Sequence, residues 1–128
     1  MNKEKVEILV ADDEPDMRAL LASVLRGCGF PFVHYASNGL EAVKLIEQKQ
    51  TAIRIAFLDI SMPGKTGIEV IKAVKAIRPP CYCVIVSAHS DLENVKSAMM
   101  AGARGFIVKP YNTKKVVDVL DKIEKEWV

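Results

Sequence analysis

The chain has 128 residues, half of them hydrophobic and 27% charged, which suits one ordinary globular domain with a real core. A formal net charge of +2 is too small to argue for nucleic acid or an anionic membrane as a partner, and no apolar run approaches the roughly 18 to 20 residues of a membrane span. Met1-Asn2-Lys3-Glu4-Lys5 carries no apolar signal region, so one domain over residues 1–128, located in the cytoplasm, is the expectation.

Val6 to Ala11 reads as the first strand and runs into Asp12-Asp13-Glu14. Pro15 fits the first turn of a helix with Asp13 or Glu14 near its amino terminus. Met17, Leu20, Leu21, Val24 and Leu25 then form one apolar stripe, and Gly27 and Gly29 supply the stop. Phe32 to Ala36 is a short second strand. Asn38-Gly39-Leu40-Glu41 has capping-box character and opens a helix expected to bury Leu40, Val43 and Ile46 before fraying through Gln48-Lys49-Gln50.

The third strand starts at Ile53 and is apolar on both faces from Ile55 to Leu58, as in the centre of a parallel sheet covered by helices. It ends on Asp59, with turn chemistry at Pro63-Gly64. Thr66-Gly67-Ile68-Glu69 is a capping box for a helix with Ile68, Ile71, Val74 and Ile77 inward, and Pro79-Pro80 ends it. Tyr82 to Val86 is the fourth strand, closing on Ser87. Ser90-Asp91-Leu92-Glu93 reads as a further capping box, with Leu92, Val95 and Met99 inward. Phe106 to Val108 is the fifth strand, followed by Lys109-Pro110 and a last helix with Val116, Val119, Leu120, Ile123 and Trp127 on one side. The odd number of cysteines (Cys28, Cys81, Cys83) and the lack of zinc spacing to His34 or His89 point to reduced, mostly buried thiols.

Strand and helix alternate five times with short connections, which implies a parallel sheet with helices on both faces. In such a sheet the site lies beyond the carboxyl ends of the strands. Those exits carry Asp12, Asp13 and Glu14 after the first strand, Asp59 after the third, Ser87 after the fourth and Lys109 after the fifth. Alone, Asp59 reads as a helix cap or loop residue; the second acidic cluster changes that. Converging carboxylates repel one another, and a hard divalent cation such as Mg2+ relieves the repulsion. A lysine ammonium and a serine hydroxyl suit a phosphoryl group, and an aspartate can itself attack phosphorus. The set points to phosphoryl transfer onto a carboxylate. No Gly-x-Gly-x-x-Gly or P-loop supports nucleotide binding.

Asp12-Asp13, Asp59 with Met62-Pro63-Gly64, Val86-Ser87-Ala88, Gly102-Ala103-Arg104-Gly105-Phe106 and Lys109-Pro110, in this order and over nearly the whole chain, resemble the receiver domain of two-component response regulators. The resemblance implies a flavodoxin-like doubly wound (βα)5 fold with strand order 2-1-3-4-5. It makes Asp59 the phosphoacceptor, fed by a histidine kinase or a histidine phosphotransfer protein. It gives Mg2+ to Asp13, Asp59 and the main-chain carbonyl of Ser61, with Asp12 acting largely through water. Lys109 would pair with the phosphoryl group, Ser87 would be the switch hydroxyl, Phe106 the aromatic that follows it, and Lys109-Pro110 a cis bond. Ser61 and His89 take the positions that tune dephosphorylation, with a solvent-facing loop histidine as the plainer reading of His89.

Targets would meet the face of the fourth helix, fifth strand and fifth helix, with Lys96, Met100, Arg104 and Lys115 as candidates. Beside that stand the plain readings of Met99 and Met100 as core and partial surface, and of Lys115 as a solvated first turn. Two departures stand out: Ser87 replaces the commoner threonine and lacks its β-branch, and Lys65-Thr66-Gly67 replaces the usual Met-Asp-Gly. A receiver that either stands alone or is cut from a larger regulator, not a conventional enzyme, is the leading expectation. The alternatives are a Mg2+-dependent aspartyl-phosphate hydrolase, against which Ser61 occupies the usual place of a second acid, and a receiver-like interaction domain indifferent to phosphorylation.

Overall fold

The computed structural model describes residues 1–88 and 91–127. Five parallel strands, β1 (Glu7–Ala11), β2 (Val33–Ala36), β3 (Ile53–Asp59), β4 (Tyr82–Ser87) and β5 (Gly105–Val108), lie in the order β2-β1-β3-β4-β5. They alternate with α1 (Pro15–Gly27), α2 (Gly39–Gln48), α3 (Gly67–Val74), α4 (Leu92–Ala101) and α5 (Thr113–Lys125). The doubly wound order expected from the sequence is the order observed. Strand order reverses between β1 and β3, so the crevice at their carboxyl ends opens beside Asp12 and Asp59.

Both faces of the sheet are covered, as the unbroken apolar runs Ile55 to Leu58 in β3 and Tyr82 to Val86 in β4 require. Ile8, Val10, Ile55, Phe57, Tyr82 and Val84 point to a core closed by α1 and α5. Leu9, Ala56, Leu58, Cys83 and Ile85 point to the core under α2, α3 and α4. Local signals set the helix starts. Pro15 opens α1, Asn38 accepts from the Glu41 N–H at 2.8 Å, and Asn112 accepts from the Lys115 N–H at 3.0 Å. Thr66 and Glu69 complete a reciprocal capping box, and hydrogen bonds donated to the Glu69 carboxylate by the Thr66 N–H and then the Thr66 hydroxyl hold it below its ordinary value.

The helix faces differ from expectation in three places. Leu20 is 54% exposed and Leu40 59% exposed. In α1 the buried line runs through Leu21, Ala22 and Leu25, so Leu20 sits roughly 145° round the helix from its centre. In α2 the line runs through Gly39, Ala42 and Ile46, and Leu40 leans over Gly64 instead. In α4 the inner face is Ala98 and Ala101, with Val95 half-buried, while Leu92 is 81% exposed and Met99 and Met100 also face outward. Small residues let that helix sit close to the sheet, and the large ones are turned out. Its cap is the Asp91 carboxylate, accepting from the Asn94 N–H at 2.8 Å; Ser90 itself lies outside the described residues.

The end of α5 is fastened to the amino ends of the strands by aromatic contacts. Trp127 stacks on Tyr82 with centroids 5.1 Å apart, Arg54 covers Trp127 at 4.4 Å and Arg104 covers Tyr82 at 5.3 Å. The Tyr82 hydroxyl donates to the Glu126 carbonyl at 3.1 Å. Removing the indole loses the stack, a cation–π contact and apolar burial together. Trp127→Ala is therefore expected to cost about 2–3 kcal/mol in a urea melt, whereas Trp127→Phe keeps most of it. The cysteines are free; hydrogen bonding with Cys83, then burial, raises the Cys81 thiol well above its ordinary value, so it stays protonated.

Candidate functional site

The strand exits bring Asp12, Asp59, Ser87 and Lys109 to one end of the sheet. A cleft of about 300 Å³ opens there, lined among others by Asp13, Glu14, Asp59, Ser61, Ser87 and Lys109. Asp12 is buried at 6% exposure and tied on every side. Its N–H donates to the Ala36 carbonyl at 3.1 Å and its Oδ1 accepts from the Glu14 N–H at 2.9 Å. Its Oδ2 takes the Lys109 Nζ at 2.9 Å, and its carbonyl takes the Arg18 guanidinium at 2.7 Å. Asp59 accepts from the Ser61 N–H at 3.3 Å and from Lys109 at 3.5 Å.

Ser87 ends β4 fully buried, opposite Val108 in the β4–β5 ladder, and its carbonyl accepts from the Lys109 N–H at 2.8 Å. That bond carries the chain from β5 directly to Lys109, and the Lys109–Pro110 peptide is cis. Phe106, half-buried, pairs with Ile85 and packs on the α2–α3–α4 side of the sheet. Gly67 lies so close to the Asp59 carbonyl that a Cβ there would stand 2.6 Å from it, which is how the capped start of α3 is pressed against the acceptor strand. His89 lies outside the described residues.

Electrostatics follow from this crowding. Burial first, then the Asp12 charge, raises the Asp59 carboxyl above its ordinary value, against the pull of Lys109 and the Ser61 N–H. Burial alone would lower Lys109, but the bond to Asp12 and the charges of Asp59 and Asp12 outweigh it and raise the ammonium overall. A lysine raised in the folded state contributes stability that is present below its unfolded value of about 10.5 and lost as pH rises through the folded value. Metal-free wild-type protein is therefore expected to lose more stability above about pH 10.5 than Lys109→Met does, as read by melts across that window.

Ligand oxygens of Asp12, Asp13 and Glu14 lie within 4.8 Å of one another, and Asp13 and Glu14 are exposed to the cleft. An all-oxygen donor set with two open carboxylates fits a hard divalent cation such as Mg2+. Glu14 belongs to this cluster although the sequence reading kept it out of the metal set. Arg18 was missed as well, because its target is a main-chain carbonyl and no side-chain pattern records it.

Residues 8–121 match the sequence profile of the response regulator receiver domain. A chemotaxis protein CheY of Thermotoga maritima is 36% identical over 118 residues, 92% of this chain and 97% of its own. CheY of Listeria monocytogenes is 33% identical over 120 residues, 94% of this chain and 99% of its own. A cyclic di-GMP phosphodiesterase of Thermotoga maritima is 37% identical over 105 residues, 82% of this chain but only 27% of its own length. Among solved structures, the CheX–CheY–BeF3–Mg complex from Borrelia burgdorferi matches with a TM-score of 0.87 at 28% identity, covering 93% of this chain and 89% of that one. The signal receiver domain of NarL from Mycobacterium tuberculosis matches at 0.84 and 31%, covering 95% and 98%.

Proposed function

The chain belongs to the response regulator receiver domain family, of the CheY type, and from that premise we propose that it is a phosphorylation-switched receiver whose acceptor is Asp59. Receiver domains are signalling proteins and not conventional enzymes. The observation that supports the acceptor is the meeting of Asp59, Lys109, Ser87 and the Asp12–Asp13–Glu14 cluster around one cleft.

In the proposed reaction a carboxylate oxygen of Asp59 attacks the phosphorus of a phosphohistidine on a histidine kinase or phosphotransfer protein. The P–O bond forms as the P–N bond breaks, and the imidazole leaves. Lys109, already between Asp12 and Asp59, pairs with the developing charge on the phosphoryl oxygens, and the Ser87 hydroxyl donates to one of them. Asp12, Asp13, Asp59 and the Ser61 carbonyl would hold Mg2+, which when bound neutralises phosphoryl charge. Movement of Ser87 toward the phosphoryl group frees space for Phe106, and the α4–β5–α5 face changes. The outward Leu92, Met99, Met100 and Val108 support that face as the target-binding one.

The reading places residues 1–128 as a single receiver unit in the cytoplasm. It contacts proteins, not nucleic acid or membrane; among the described residues no helix is long and apolar enough to cross a membrane. Relatives of both sizes leave room for a free-standing receiver and for one within a larger regulator.

Intact mass after incubation with a small-molecule acyl phosphate tests the proposal. One added phosphoryl group that requires Mg2+ is expected, and its decay gives the lifetime of the signal. No adduct and no released phosphate would leave a phosphorylation-independent interaction domain. Rapid multiple turnover would instead make the chain a hydrolase.

A further inference from the structure

We propose that Arg18 is a positioning residue for the acidic cluster, holding Asp12–Asp13–Glu14 in metal-binding register from the second turn of α1. The inference rests on the receiver reading and names a residue which that reading does not use. The cluster sits on the irregular segment between Ala11, the last residue of β1, and Pro15, the first of α1. The Asp12 N–H continues the sheet ladder to Ala36, but its carbonyl lies beyond the last paired residue of that ladder, Ala11. Arg18 fills that place at 2.7 Å with a charge-assisted bond in a part-buried setting.

Three carboxylates within 4.8 Å push this segment apart. The Glu14 N–H and Lys109 restrain the Asp12 side chain, while Arg18 is the side chain that restrains its main chain. Such outer partners of metal ligands typically set affinity by 10- to 100-fold.

A clamp and a bare charge predict opposite signs. The guanidinium is positive, so its charge alone opposes a cation, and neutralising it would tighten Mg2+ binding. As a clamp, its loss lets the carboxylates spread and weakens binding. Arg18→Gln in the full chain, titrated with Mg2+ alone by melting temperature and calorimetry, is expected to raise the Mg2+ Kd about tenfold. In the phosphorylation assay the half-saturating Mg2+ concentration should rise equally, with the rate at saturating Mg2+ unchanged. Arg18→Lys keeps the charge but loses the planar fork and should fall between the two; it carries the test alone if glutamine here prevents folding. An unchanged or lower Kd in these variants overturns the clamp, as does a lower saturating rate at unchanged Kd. Wild-type protein that Mg2+ does not stabilise and no donor phosphorylates overturns the functional reading itself, and the clamp with it.

Discussion

Asp59→Asn is expected to take up no phosphoryl group under conditions where the wild-type protein takes up one, and to melt higher than wild type without metal. Loss of the adduct follows from chemistry: an amide oxygen is a far poorer nucleophile toward phosphorus than a carboxylate. The rise in melting temperature follows from the site. Burial pushes the Asp59 carboxyl above its ordinary value of 3.8, and the Asp12 charge pushes the same way. An acid raised in the folded state binds its proton more tightly there than in the unfolded chain. Its ionisation therefore opposes folding: the penalty is absent below the unfolded value and is complete once pH passes the folded one. Asparagine has no such penalty, and Lys109 keeps its 2.9 Å bond to Asp12. The stability gain should be full at neutral pH and vanish as pH falls toward 3.8, checked by melts from pH 3 to 8. An adduct that persists would move the acceptor elsewhere, and a lower melting temperature at neutral pH would make Asp59 a structural residue.

Gly39→Ala is expected to destabilise the fold by about 3 kcal/mol or more, on the order of 10 °C in Tm. Gly39 opens α2 against the loop that follows Asp59, its N–H donating to the Pro63 carbonyl at 3.2 Å. A Cβ there would stand 2.0 Å from the Lys65 carbonyl oxygen and 2.6 Å from its carbon. Both are backbone atoms, so neither can swing away as a side-chain tip can. Either α2 withdraws and lifts Ala42 and Ile46 out of the core, or the loop carrying Ser61 to Lys65 moves, and the cleft with it. A circular-dichroism melt measures the first effect and the Mg2+ dependence of phosphorylation the second. A change below about 1 kcal/mol would mean that the contact relaxes freely.

The alternation of apolar runs and capping sequences was enough to read the sheet class and nearly every strand. The reason is local: an all-apolar strand such as Ile55 to Leu58 needs cover on both faces, and Asn38 and Thr66 satisfy helix-end N–H groups from within their own turn. The orientation of α4 was not legible. Leu92 and Met99 are the larger apolar residues and were expected inside, yet Ala98 and Ala101 are buried, because small residues allow the closer approach. Leu20 and Leu40 fit their stripes by spacing but face away from the buried line once the helices are rotated onto the sheet.

By itself, the sequence determined which residues stand at the strand exits. A βα chain places the end of each strand at the same edge of the sheet, so Asp12, Asp59, Ser87 and Lys109 had to share one end. Only the tertiary structure decided how they are joined: Lys109 lies nearer Asp12 than Asp59, and Arg18 holds a carbonyl. Those contacts depend on distances between side chains up to 97 positions apart and on main-chain atoms common to every residue, and neither leaves a mark in the order of the amino acids.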